Sequence, residues 1–164
     1  MGRQTKNKMD KKMKNIVIIA LAMVLGISGC KEKDYVILDD QIIRDYIATN
    51  GLTAEKTEEG VYYVITKVGN GERASIASTV TVHYKGYTLN GDIFDSSYDR
   101  GKTSTFPLSG VIQGWQIGIP KLSVGGSGTL LIPSHLAYGS NPPRGSVIGK
   151  NEVLAFDIEL FEVK

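Results

Sequence analysis

The chain has 164 residues, 41% hydrophobic and 22% charged, with a formal net charge of +2, enough for one domain with an extension and too short for two full domains. The charge is local: six basic residues and one acidic residue lie before Cys30, and without them thirteen basic residues face sixteen acidic ones, a net charge of −3. That balance excludes a nucleic-acid binder built on a basic surface. The single cysteine excludes a disulfide within the chain.

The N-terminus reads as an address. Arg3, Lys6, Lys8, Lys11, Lys12 and Lys14 precede the apolar run Ile16–Leu25, which is shorter than the ~20 residues of a membrane-spanning helix and fits the apolar core of a signal peptide. Met13-Lys14-Asn15 followed by that run also makes a complete signal by itself. The run ends in Leu25-Gly26-Ile27-Ser28-Gly29-Cys30, which resembles a bacterial lipobox. The resemblance implies cleavage before Cys30 and lipidation of its thiol and new amino group, since only a thiol accepts the thioether. Two or more acyl chains, at ~0.8 kcal/mol per buried methylene, anchor stably. Lys31 follows the cysteine where inner-membrane retention uses Asp, so the usual bacterial sorting rule implies the outer membrane, on its periplasmic or surface face. The expected organisation is a signal peptide over 1–29, then lipidated Cys30 with a charged tether and short helix over 30–58, and a folded domain over 59–164.

Within the extension, Ile42, Ile43, Tyr46 and Ile47 recur at helical spacing and predict a helix over Asp39–Asn50, capped by Asp39 or Asp40 and ended by Asn50-Gly51. Such a helix packs on the domain, spaces it from the membrane or pairs two copies. Beyond Gly60 the period changes to that of strands. Val61–Val68 and Thr79–Leu89 are predicted strands, and the Asn90-Gly91 hairpin turn leads into a third at Asp92–Asp95. Val111–Ile119 is a short apolar stretch carrying the only tryptophan, and Pro120 limits any helix there to about two turns. Gly114 beside Trp115 lets an indole lie across a cavity as its floor; the alternative is that Trp115 is simply core. Gly128–Ile132 and Val153–Val163 complete about five strands. The predicted class is α+β, an antiparallel sheet wrapped on one short central helix with an N-terminal helical extension.

Several chemistries are missing. Gly69-Asn70-Gly71-Glu72-Arg73-Ala74 matches a dinucleotide fingerprint, but a polar loop and a strand follow where a phosphate-binding helix should start. His83 and His135 are the only histidines, and no cysteine follows Cys30, so the usual structural zinc sites cannot be assembled. No nucleophile elbow or zinc-protease motif occurs. His83 on an alternating strand reads as a surface or satisfied residue. The chemistry left is that of a pocket.

Val82-His83-Tyr84-Lys85-Gly86, Phe94-Asp95-Ser96-Ser97, Phe106-Pro107-Leu108 and Val111-Ile112-Gln113-Gly114-Trp115 follow one another, then Ser123-Val124-Gly125, Ile132-Pro133 with Leu136-Ala137-Tyr138-Gly139, and Phe156-Asp157-Ile158-Glu159-Leu160. This ordered set resembles the FKBP-type peptidyl-prolyl cis–trans isomerases from about Gly60 to the end of the chain. The resemblance implies a pocket lined by Tyr84, Phe94, Asp95, Phe106, Val111, Ile112, Trp115, Tyr138 and Phe156. Trp115 would be its floor, Tyr84, Phe94 and Phe156 its walls, and Asp95 and Tyr138 its polar rim. The Ile112 amide and the Tyr138 hydroxyl would bond substrate carbonyls, and Val147 and Ile148 would line a flap.

Two departures bear on specificity. Ser104 stands where the family often has an aromatic, and Gly149-Lys150 follow Val147-Ile148 where the family has prolines, with Pro142-Pro143 placed earlier instead. The first is expected to remove a wall and the second to loosen the flap. Implied partners are proline-containing exported polypeptides, the membrane through Cys30, and macrolides of the tacrolimus and rapamycin type, the last weakened by Ser104 and Gly149-Lys150. Neither cofactor nor metal is implied. The competing reading is a peptide-binding holdase that uses the same pocket without turnover.

Overall fold

Segment Lys31–Leu38 holds no glycine or proline to break a helix. In the computed structural model, which describes the chain from Ile27 to Lys164 with side chains from Tyr35, helix α1 runs over Ile27–Thr49. The residues before Ile27, most of the expected signal peptide, and the Cys30 side chain lie outside the described residues. The helix is longer than the Asp39–Asn50 expectation, and the tether over 31–38 is helical, so Asp39 and Asp40 are interior residues and not caps. They are employed sideways instead. Gly51, with φ of +62°, ends the helix as expected, and Leu52 N–H donates to Ile47 O at 3.0 Å.

Two units divide at Asp34, and all that follows concerns Tyr35–Lys164. Seven strands form one antiparallel sheet: β1 Glu55–Lys56, β2 Tyr62–Lys67, β3 Thr79–Thr88, β4 Ile93–Ser96, β5 Ser104–Pro107, β6 Ser127–Ile132 and β7 Leu154–Val163. Their order is β1-β2-β6-β7-β3-β4, and β5 also pairs with β3, beyond the stretch taken by β4. The two strands beyond the expected five are β1 and β5. One has two residues and the other four, ending in Pro107, too short for a period of two to be read from the sequence.

Alternation on β3 sends Val80, Val82, Tyr84 and Gly86 to the inner face, where Leu130, Ile132, Phe156, Ile158 and Leu160 join them against helix α2, Gln113–Gly118. Pro120 ends the α-helix without ending helical backbone, which continues as a 3-10 turn over Ile119–Lys121. The outer face is covered too. Ile43, Tyr62, Leu131, Val153 and Ala155 form a second buried cluster, flanked by Tyr46 and Ile47. The sheet is therefore sandwiched between α1 and α2. Leu130-Leu131-Ile132 and Leu154-Ala155-Phe156, buried at consecutive positions, are the sequence mark of a strand covered on both faces.

Asp40 ties α1 to the first strands. Its carboxylate accepts from Lys56 Nζ at 2.5 Å and from Arg44 Nε and the Tyr62 hydroxyl at 2.7 Å each. Burial pushes this carboxyl up, but the bonds from Lys56, Tyr62 and Arg44 together outweigh it and hold it down at about 2. A depressed carboxylate contributes stability that is complete above its unfolded value, near 4, and is lost as pH falls towards 2. Exposed ion pairs of this kind are screened, so about 1 kcal/mol is at stake. Urea unfolding midpoints should show Asp40→Asn less stable than the parent at pH 6. Its deficit should close as pH falls from about 4 to 2.

Candidate functional site

Glycines bring the central helix onto the sheet. A Cβ on Gly118 would meet the Leu130 side chain, and one on Gly114 would meet Ile132, so α2 lies against β6 at a distance only glycine permits. This close seat presents Trp115 upward, 4% exposed, at the bottom of a cavity of about 460 Å³. Three rings stand across its indole. Tyr84 meets it at 5.1 Å between centroids and 88°, Phe156 at 5.4 Å and 83°, and Phe106 at 5.8 Å and 83°. Edge-to-face pairs of this geometry each contribute ~0.5–1.5 kcal/mol beyond burial. The Trp115 Nε1–H is buried without a hydrogen-bond partner among the described residues.

A bulge supplies the next wall. In the β3–β4 pair Gly86 faces Asp95 and Tyr87 faces Ile93, leaving Phe94 unpaired between them. Its ring meets Phe156 edge-on at 5.4 Å, directly over Gly86. Ser97, fully buried, fixes the backbone of Tyr84: its Oγ accepts from Tyr84 N–H at 2.7 Å, and its own N–H donates to Tyr84 O at 2.9 Å. His83, on the opposite face of β3, has Nδ1 2.9 Å from the same Ser97 Oγ and stacks on Tyr98. It is a satisfied residue outside the cavity, and His135 is exposed.

The polar rim is a charged network. Asp95 accepts from the Tyr84 hydroxyl through Oδ2 and from Arg100 Nη1 through Oδ1. Arg100 Nη2 donates to the Tyr84 hydroxyl at 3.0 Å and to Ser104 Oγ at 3.2 Å, and its guanidinium lies over the Tyr84 ring. Burial, reinforced by Asp95 and opposed by Arg100, raises the Tyr84 hydroxyl. Burial first, and the Asp95 charge second, raise that of Tyr138. Both phenols therefore stay protonated at neutral pH and can donate.

The mouth is shaped by two loops. Ile112 is extended ahead of α2, and its carbonyl accepts the N–H groups of Trp115 and Gln116. Gln116 Nε2 donates to Val111 O at 2.8 Å, which fixes the peptide carrying the Ile112 N–H. Across the mouth, Ile148 N–H donates to Ser146 Oγ at 3.0 Å, and Asn151 N–H to Gly139 O at 2.8 Å. The N–H of Gly149, expected to leave the flap loose, is taken up by the Glu152 carboxylate.

All nine residues of the predicted pocket line this one cavity, together with Ile148. Val147 does not. It is 59% exposed and lies outside the lining. Ser104 lies outside the lining as well and accepts from Arg100. Gly110, Pro143 and Ser146 complete the lining, and of these the sequence marks only Pro143, in the displaced pair Pro142-Pro143. Arg100 was missed as well. Its one signal was an opposite charge five residues after Asp95.

Comparison with known proteins places these elements. The family model for FKBP-type peptidyl-prolyl cis-trans isomerase matches residues 70–161. The isomerase FkpA of Buchnera aphidicola is 39% identical over 158 residues, covering 96% of this chain and 58% of its own length. Peptidyl-prolyl cis-trans isomerase Mip of Coxiella burnetii is 41% identical over 120 residues, covering 69% and 52%. The chain spans about half the length of these curated relatives. Among solved structures, FkpA from Escherichia coli superposes with a TM-score of 0.69 at 32% identity, covering 94% of this chain and 73% of that one. AtFKBP13 superposes at 0.62 and 35% identity, covering 68% and 99%. The matched residues 70–161 hold Trp115 and every side chain that surrounds it, and the chain belongs to the FKBP-type peptidyl-prolyl cis-trans isomerase family.

Proposed function

We propose that this chain accelerates the cis–trans isomerisation of Xaa-Pro bonds in exported polypeptides. The observation that carries the reading is the aromatic enclosure over Trp115, apolar inside and bordered on one side by Asp95, Arg100 and Tyr84. Rotation of a peptide bond costs ~18–20 kcal/mol because resonance is lost at the twisted geometry. Without help, Xaa-Pro bonds take tens to hundreds of seconds. The twisted amide is less polar than the planar one, so a water-poor aromatic cavity favours it relative to the ground state. A proline ring on the indole, with the neighbouring carbonyls received by Ile112 N–H and the Tyr138 hydroxyl, is held for rotation about a single bond. No proton transfer and no covalent intermediate are needed.

The N-terminal lipobox supports lipidation at Cys30, cleavage after residue 29 and attachment to the cell envelope at the outer membrane. The cavity's breadth and its Asp95–Tyr138 rim support binding of tacrolimus- or rapamycin-type macrolides, weakened by Ser104 and by Gly149-Lys150 in the flap.

The test is exchange NMR on short Xaa-Pro peptides with the full chain in mild detergent. Tyr138→Phe should lower kcat/KM about tenfold, the loss of ~1.4 kcal/mol of transition-state stabilisation, with the unfolding midpoint unchanged. A folded chain that accelerates none of several Xaa-Pro peptides would leave a binding module in place of an isomerase.

A further inference from the structure

Asp39 is a carboxylate 1% exposed in the middle of α1, and its Oδ1 has no hydrogen-bond partner among the described residues. Burying such a group opposes folding unless its bonds are worth more than its desolvation. Docking of α1 does not require it, because Ile43 and the Asp40 cluster already fasten the helix to the outer face. What Asp39 does hold is Ser134, ninety-five positions along the chain. Oδ2 accepts from Ser134 N–H at 2.8 Å and from Ser134 Oγ at 2.6 Å.

Ser134 opens the 3-10 turn Ser134–Leu136 that leads from β6 into the cavity. Its carbonyl accepts from Ala137 N–H at 3.0 Å and Gly139 N–H at 2.9 Å, the residues on either side of Tyr138. No strand or helix fixes Tyr138. The turn fixes it, through the two bonds to Ser134 and through Asn141 N–H, which donates to Tyr138 O at 3.0 Å, and Asn151 N–H, which donates to Gly139 O. Every hydrogen-bonding group of Ser134 is thus engaged: N–H and Oγ by Asp39 of α1, C=O by the N–H groups of Ala137 and Gly139 on either side of Tyr138.

We propose that Asp39 is a positioning residue for the isomerase site, acting through Ser134 on Tyr138, so that α1 belongs functionally to the catalytic domain although the family match begins only at residue 70. The inference rests on the isomerase reading for its kinetic consequence and on the hydrogen-bond chain alone for its structural one.

The experiment is a pair of double-mutant cycles on the full chain in detergent: Asp39→Ala with Tyr138→Phe, and Ser134→Ala with Tyr138→Phe. Exchange NMR gives kcat/KM, and the ring resonances of Tyr138, assigned by their loss in Tyr138→Phe, report its placement. Asp39→Ala should lower kcat/KM about tenfold in the parent and by less than about twofold once Tyr138 is phenylalanine, because coupled residues are not additive. Ser134→Ala removes only the hydroxyl bond, carries the test by itself should Asp39→Ala fail to fold, and should lower kcat/KM about threefold with the same non-additivity. In both variants the Tyr138 ring signals should move while those of Tyr84 stay. Equal losses with and without the Tyr138 hydroxyl, or Tyr138 resonances unmoved in either folded variant, would overturn the proposal. If the parent accelerates no peptide, the isomerase reading fails, and the Tyr138 resonances still decide the linkage.

Discussion

Trp115→Ala should lower stability by ~3–5 kcal/mol, the cost of emptying a buried aromatic site, and reduce kcat/KM at least a hundredfold. Two losses add. Tyr84, Phe106 and Phe156 each give up an edge-to-face partner, and the cavity loses the surface on which a proline ring would rest. The backbone cannot close the gap, because Gly114 and Gly118 already hold α2 against Ile132 and Leu130. Urea unfolding followed by circular dichroism gives the first quantity and exchange NMR below the unfolding midpoint gives the second. Trp115→Phe separates them. It keeps an apolar floor of smaller area, so stability should fall by less than half as much while turnover drops about tenfold. A folded Trp115→Ala chain retaining turnover within tenfold of the parent would show that the reaction does not use this cavity.

Much of this arrangement was legible in the sequence, for identifiable reasons. The inner sheet alternates in Val80-Val82-Tyr84, so the period-2 pattern located β3, and the Asn90-Gly91 pair located its hairpin, with Gly91 at φ +96°. The nine cavity residues were legible through family resemblance, because the chemistry of the pocket is spread over many short ordered motifs. Period and spacing alone reached only Trp115, as a floor or as core.

The unread parts share a cause. They are set by contacts between residues far apart in sequence. The outer cover of the sheet depends on Ile43 meeting Leu131 and Ala155, which helical periodicity in α1 cannot reveal, since it says that a face is apolar and not what it faces. Asp39 and Asp40 looked like caps because aspartate before an apolar periodic stretch is the usual helix start. Tertiary partners at Ser134 and Lys56 employ them from the side of a longer helix. Val147 and Ile148 were indistinguishable by composition, yet one is 59% exposed and the other 6%. Arg100 reaches Asp95 only because the segment between β4 and β5 loops out and returns, with Gly101 at φ +66° making the turn.

Gly86→Val is the second large expected effect, and its sign is the informative part. In an open strand, glycine costs roughly 0.5–1 kcal/mol relative to alanine, and valine is a preferred residue, so the exchange would ordinarily stabilise. Here Gly86 lies opposite Phe156 on one side and Asp95 on the other. A Cβ would stand 2.6 Å from Phe94 Cε2 and 2.8 Å from Phe156 Cε1. Phe156 cannot retreat, being 4% exposed with its ring against Trp115. Phe94 is half-buried on a bulge and has room to swing. The expected result is a destabilisation of ~1–3 kcal/mol, the range for overpacking a well-filled core. Displacement of Phe94 should open the cavity and lower kcat/KM about tenfold, chiefly through KM, because the wall that confines the substrate moves while floor and donors remain. Gly86→Ala should do the same in smaller measure. Chemical unfolding and exchange NMR on the two variants decide it. A Gly86→Val chain more stable than the parent, with unchanged turnover, would mean that Phe94 and Phe156 do not stand where their rings define the cavity.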